Sequence, residues 1–165
     1  MKKYIITSLV LLLAVSFWNC EKDDICAETT PTTPKLIIDF YDVADPTTLK
    51  NVTNLGIVET SLSEGFSFNA VNSISVPLRT NQDTKTINFV LNGSDADVTN
   101  DISDVITFNY SRIETYISRA CGYKTTFILN DTNGLEIPTS NWISSYEIIQ
   151  YNIENEDETH VKIYF

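Results

Sequence analysis

Histidine is almost missing from this chain: His160 is the only one among 165 residues, beside three cysteines. Zinc wants about four nitrogen or sulfur ligands, so that inventory speaks against a zinc site. Glycine and proline number five each, and no serine stands in the G-x-S-x-G setting that exposes a nucleophile. Basic residues are scarce, 11 against 22 acidic ones, for a net charge of −11. A chain this acidic has no field with which to hold nucleic acid or anionic lipid. No repeat period occurs, and no apolar stripe at 3.6-residue spacing is long enough for a major helix.

One long apolar run is present, and it stands at the start. Lys2 and Lys3 precede it, and it extends from Ile5 to Trp18. At roughly 14 residues it falls short of the ~20 a spanning helix needs. Acidic residues follow it at once, where a stop-transfer flank would be basic. Residues 1–19 therefore have the layout of an export signal. The small-residue pattern of an ordinary cleavage site is missing at Phe17-Trp18-Asn19, and a cysteine stands directly after.

That junction resembles a bacterial lipoprotein signal, in which the cysteine is acylated (palmitate among the chains) and becomes the first residue of the mature protein. The resemblance implies lipidation at Cys20, with a covalent lipid as the one attached group. Phe17, Trp18 and Asn19 depart from the usual Leu-small-small lead-in. Glu21, Lys22, Asp23 and Asp24 resemble the acidic, lysine-containing signal that sends lipoproteins of the Bacteroidota to the outer face of the outer membrane. The implied location is the outer membrane, surface-facing, with a periplasm-facing placement as the alternative. With Cys20 lipidated, Cys26 and Cys121 remain as an even pair in an oxidising compartment, and a disulfide between them is expected.

Further along, Cys20-Glu-Lys-Asp-Asp-Ile-Cys26, Thr33-Pro-Lys-Leu-Ile-Ile-Asp-Phe-Tyr41, Val76-Pro-Leu78 and Ile117-Ser-Arg-Ala-Cys-Gly-Tyr123 together resemble an uncharacterised family of small Bacteroidota lipoproteins. The resemblance implies a lipid-anchored β domain and brings no activity.

Without residues 1–19 the chain keeps 9 basic and 22 acidic residues, a charge of −13, and a length that suits one domain. Residues 20–34 read as a lipidated acidic and Pro-Thr tether. Residues 35–165 read as the folded domain. Period-two alternation predicts strands around 36–40, 66–68, 73–78, 86–91, 105–110, 123–129 and 161–165, with a weaker one at 56–59. Pro77 has no N–H for a ladder, so its strand is expected to be an edge or to end early. The apolar positions turn from even to odd at Ile113 and Ile117, predicting a bulge near Ser111-Arg112. Gly134 offers a positive φ in the turn after Asp131. Trp142 to Ile153 reads as one strand, and Val161 to Phe165 as its hairpin return. Seven or eight short strands define an all-β antiparallel sandwich, immunoglobulin-like.

Candidates for chemistry are few. His160, at the start of a strand, reads as an exposed or rim histidine and not as a general base. Asp95, Asp97, Asp101 and Asp104 offer oxygen to calcium, but the spacing is not that of an EF-hand and local turns account for such residues. Tyr41, Tyr116, Tyr123, Trp142, Tyr146, Tyr151 and Tyr164 can line one sheet face as a ligand platform, or serve as half-buried strand formers. No catalytic set emerges. The function expected is a non-catalytic binding or accessory subunit at the outer membrane, bound to the bilayer through Cys20 and to an envelope protein or ligand. The alternatives are a periplasm-facing structural lipoprotein and a small envelope hydrolase.

Overall fold

The computed structural model describes Lys3, Tyr4 and residues 25–165. The rest of the expected signal, Cys20 and Glu21 to Asp24 lie outside the described residues. The chain divides into two compact units, one of Met1–Pro31 with Tyr116–Tyr123 and one of Thr32–Thr115 with Lys124–Phe165.

The larger unit is a β-sandwich. Its first strand is β1 (Leu36–Tyr41), whose Leu36, Ile38 and Phe40 are fully buried while Ile37, Asp39 and Tyr41 point to the other face. That is the alternation the pleat imposes. In chain order follow β2 (Leu55–Glu59), β3 (Phe66–Phe68), β4 (Ser73–Val76), β5 (Thr84–Leu91), β6 (Ile102–Ser118), β7 (Gly122–Leu129), β8 (Leu135–Glu136), β9 (Ser145–Ile148), β10 (Asn152–Ile153) and β11 (Val161–Tyr164). Among residues 25–165 there is no α-helix, only a 3-10 turn at Val98–Asn100.

One sheet has the order β4-β1-β11-β9 and the other β10-β7-β6-β5-β2-β3, with β8 paired to β6. β1 and β11 run parallel with Ile38 opposite Val161, whereas β1 with β4, β11 with β9, β10 with β7, β2 with β3 and β5, and β6 with β5 and β8 pair antiparallel. β4 is an edge and ends just before Pro77, whose missing N–H stops the ladder. Among the described residues the segments number eleven, not seven or eight, because several are only two to four residues long.

Apolar side chains from the inner faces of both sheets form one core. Phe40, Val161 and Ile163 come from the first sheet; Phe89, Ile106, Phe108 and Phe127 come from the second. Each such residue contributes roughly 1.5–3 kcal/mol by leaving water.

The stretch 142–153 is not one strand. β9 pairs with β11 in the smaller sheet, whereas β10 pairs with β7 in the larger. Between them Ile149 and Gln150 donate their N–H groups to the His160 carbonyl, and Leu129 donates to Tyr151. The chain changes sheets there because both sheets offer partners at that corner. The expected bulge near Ser111 is also not needed. β6 runs unbroken for 17 residues. Its buried positions are even as far as Tyr110. Beyond that point Ile113 stands about half exposed, because the strand has passed the core and no longer has an inner face.

Two glycines matter for different reasons. Gly122 has φ +70°, which permits the tight return from β6 to β7. Gly134 does not have a positive φ. A Cβ on it would lie 2.5 Å from the Asn130 carbonyl oxygen, so close approach is what excludes a side chain.

Candidate functional site

In the smaller unit, Cys26 and Cys121 form a disulfide with S–S 2.06 Å. The bond joins residues 95 apart in sequence, as expected from the cysteine count. Around it the Cys121 N–H donates to the Ser118 hydroxyl at 3.0 Å, and Thr30 N–H donates to the Ala27 carbonyl at 2.9 Å. Tyr116 and Tyr123 meet edge to face with ring centroids 5.4 Å apart. Both rings are exposed, at 54 % and 68 %, and Ile25 is exposed at 84 %. Ile25, Tyr116, Ile117, Arg119 and Cys121 line a shallow concavity of about 430 Å³.

The remaining aromatics of the expected platform occupy separate places. Tyr41 and Tyr164 meet at a tilt of 41°, centroids 5.8 Å apart, on neighbouring strands of the smaller sheet. Lys162 sits over the Tyr41 ring at 4.9 Å. The Tyr146 hydroxyl donates to the Leu135 carbonyl at 2.7 Å. Tyr151 lies in the crossover between β9 and β10. Trp142 is in the core, 5.5 Å from Phe165 and 6.4 Å from Phe40. Its indole N–H donates to the Phe89 carbonyl at 3.1 Å. Within the larger unit the five do not share one face: Trp142 is buried in the core, whereas Tyr41 and Tyr164 lie on the other side of their strands from buried Phe40 and Ile163.

The four aspartates considered for calcium also part company. Asp95 and Asp97 build successive turns, Asp95 accepting the Asp97 N–H at 2.8 Å and Asp97 the Thr99 N–H at 3.0 Å. The Thr99 hydroxyl and N–H hold the Asp97 carboxyl below the usual range. Asp101 caps the C-terminal end of the 3-10 turn. Asp104 is buried on β6, where its carboxylate accepts the backbone N–H groups of Asn141, Trp142 and Ile143 at 2.6, 2.9 and 2.8 Å. No group of three or more metal-ligating side chains converges among the described residues.

His160 is neither exposed nor on a rim; only 1 % of its surface reaches solvent. Its Nδ1 accepts the Ile37 N–H at 3.0 Å, and the His160 backbone N–H donates to the Ile37 carbonyl at 3.1 Å. Burial pushes its pKa below the ordinary 6.5, against the pull of Glu158 and Glu156. The acceptor role requires the neutral ring with its proton on Nε2. Only pairing between β1 and β11 creates this site, so the local sequence around His160 carries no sign of it.

A second charged cluster was not legible either. Glu59 receives the Arg79 guanidinium, and Lys85 lies 3.6 Å away while donating to the Pro77 carbonyl at 2.6 Å. Burial raises the Glu59 carboxyl, but the Arg79 hydrogen bond and the two cations outweigh it and hold the group low. Burial lowers the Lys85 ammonium more than Glu59 raises it. Close by, Lys35, Phe66, Phe68, Ile74 and Pro77 line an apolar groove of about 400 Å³ beside the edge strands β3 and β4, with Phe66 exposed at 62 %.

Residues 51–165 match a family of unknown function (DUF6452), and the chain belongs to it. No curated protein and no solved structure matches the chain. Among the described residues no helix is long and apolar enough to cross a membrane.

Proposed function

We propose that this is a lipoprotein of the bacterial envelope, anchored by lipid on Cys20 and serving as a non-catalytic binding or accessory subunit at the outer membrane. The observation that carries the reading is the Cys26–Cys121 disulfide. A stable disulfide belongs to an oxidising, extracytoplasmic compartment. It also uses two of the chain's three cysteines and leaves Cys20, directly after the apolar run, as the one for acylation. The Bacteroidota lipoprotein character rests on the resemblance at residues 17–26. The binding role is supported by the exposed Phe66 in its apolar groove, which a purely structural surface has no need of. The non-catalytic role is supported by the engagement of His160, whose Nδ1 is already bonded to Ile37.

The test is metabolic labelling with a palmitate analogue, followed by fractionation of wild type and Cys20→Ala. Wild type takes up label and stays with the outer membrane; Cys20→Ala takes up none and becomes soluble or remains uncleaved. A Cys20→Ala protein that still fractionates with the outer membrane ends the lipoprotein reading. Protease added to intact cells then separates a surface-facing from a periplasm-facing orientation.

A further inference from the structure

We propose that the turn joining β6 and β7 contacts lipid directly, with Tyr116, Tyr123 and Ile25 seated at the headgroup level of the bilayer. The inference rests on the anchor reading above. Three observations inside the smaller unit point to a membrane surface as the occupant of this patch.

The first is covalent reach. The disulfide ties Cys121 in the turn to Cys26, six positions after Cys20. Six extended residues span at most about 20 Å. A lipid on Cys20 therefore keeps the turn within roughly that distance of the bilayer, whatever the tether does.

The second is chemistry. Tyrosine is enriched at membrane interfaces, because its ring is apolar and its hydroxyl stays hydrated. Tyr116 and Tyr123 are both more than half exposed and brace each other edge to face, so the pair is presented as one unit. Ile25, the most exposed large apolar residue between the disulfide and the anchor, adds a side chain with no reason to face water.

The third is charge. The chain carries twice as many acidic as basic residues. Yet Tyr116 to Tyr123 contains no acidic residue and includes Arg119. Glu114, two residues before Tyr116, and Glu28 with the acidic residues among 21–24 flank it in sequence, so the patch has no net attraction for anionic lipid. Zwitterionic headgroups suit it, with apolar and aromatic contact as the driving term.

The experiment places a fluorescent reporter at the turn of the lipidated, full-length mature protein. Tyr123→Trp is reconstituted into phosphatidylcholine vesicles containing lipid spin-labelled near the headgroup or near the chain end, and flotation is recorded on the same samples. Wild type is the control, because its remaining mature tryptophan, Trp142, is buried. The expected result is emission that shifts to the blue on reconstitution. Headgroup-labelled lipid should quench it strongly and chain-end-labelled lipid weakly, with no change in the wild type. Vesicles that float with the protein while the emission of the introduced indole stays unquenched overturn the lipid contact and leave the anchor standing. Protein that does not float removes the anchor, and the contact with it.

Discussion

The Oδ2 oxygen of Asp104 lies 2.9 Å from the backbone nitrogen of Trp142 and accepts its N–H. The same oxygen accepts the Ile143 N–H, and Oδ1 accepts that of Asn141. One carboxylate on β6 thus satisfies three successive backbone donors of a segment that has no strand to pair with. Trp142 and Ile143 are both buried, so without Asp104 their N–H groups face neither water nor protein. The carboxylate is what allows irregular backbone to enter the core beside Phe40 and Phe165.

Asp104→Ala should therefore be among the most damaging single changes in the domain. An unsatisfied buried donor costs about 1–3 kcal/mol, more where the lost partner is charged. A loss of roughly 3 kcal/mol or more in urea unfolding is expected, with Trp142 emission moving toward that of water-exposed indole. Asp104→Asn keeps one acceptor oxygen and should lose less. An unchanged urea midpoint in the alanine variant would show that the segment finds its hydrogen bonds elsewhere.

His160 predicts a pH dependence whose sign follows from burial. Its folded pKa lies below the ordinary 6.5, so the unfolded chain binds the proton more readily. The neutral ring's contribution is complete above pH 6.5 and is lost as pH falls from there through the folded pKa. The slope is at most about 1.4 kcal/mol per pH unit for one proton. Glu59, Asp45 and Asp97 also have lowered values, but these titrate from an ordinary range near 4 and contribute in a more acid window. Urea midpoints between pH 7.5 and 5 should fall for wild type more than for His160→Asn, whose amide oxygen replaces the Nδ1 acceptor without titrating. Parallel curves would exclude His160 as the source.

Reduction of the disulfide should lower stability without unfolding the domain. Closing a loop of 95 residues is worth on the order of 4–5 kcal/mol in the chain-entropy model, and often less in practice. Neither cysteine belongs to the buried core, which lies wholly in the larger unit. Cys26→Ser with Cys121→Ser should keep the β spectrum of the wild type and shift its urea midpoint downward. Loss of the β signal at neutral pH in that double variant would mean that the core alone does not hold the sandwich.

How much of this was legible differs by element, and the differences have causes. β1, β5 and β7 stood out because strands with one face on a core must alternate, and Leu36-Ile-Ile-Asp-Phe-Tyr41 alternates without interruption. β6 misled for the same reason. Ile113 and Ile117 break the alternation in sequence, but hydrophobicity alone does not say whether a strand still has a core beneath it. The split of 142–153 into β9 and β10 was hidden because apolar residues continue across it, and the change of sheet is written in hydrogen bonds to His160 and Leu129. Asp104 looked like its neighbours Asp95, Asp97 and Asp101 because all four share one acidic stretch.

Readable from the chain alone are the β character of the domain, the end of a strand at Pro77, the pairing of Cys26 with Cys121 and the lack of a G-x-S-x-G motif. These follow from local chemistry: side-chain period, a missing N–H, an even count of cysteines, the absence of a motif. Folding is what makes His160 buried and neutral, gives Asp104 three backbone donors to hold and sets β1 parallel to β11. Those facts depend on groups brought together from 37 to 123 residues apart. A side chain's charge state and role are set by the partners and solvent around it, and for distant partners that environment exists only once the chain has folded.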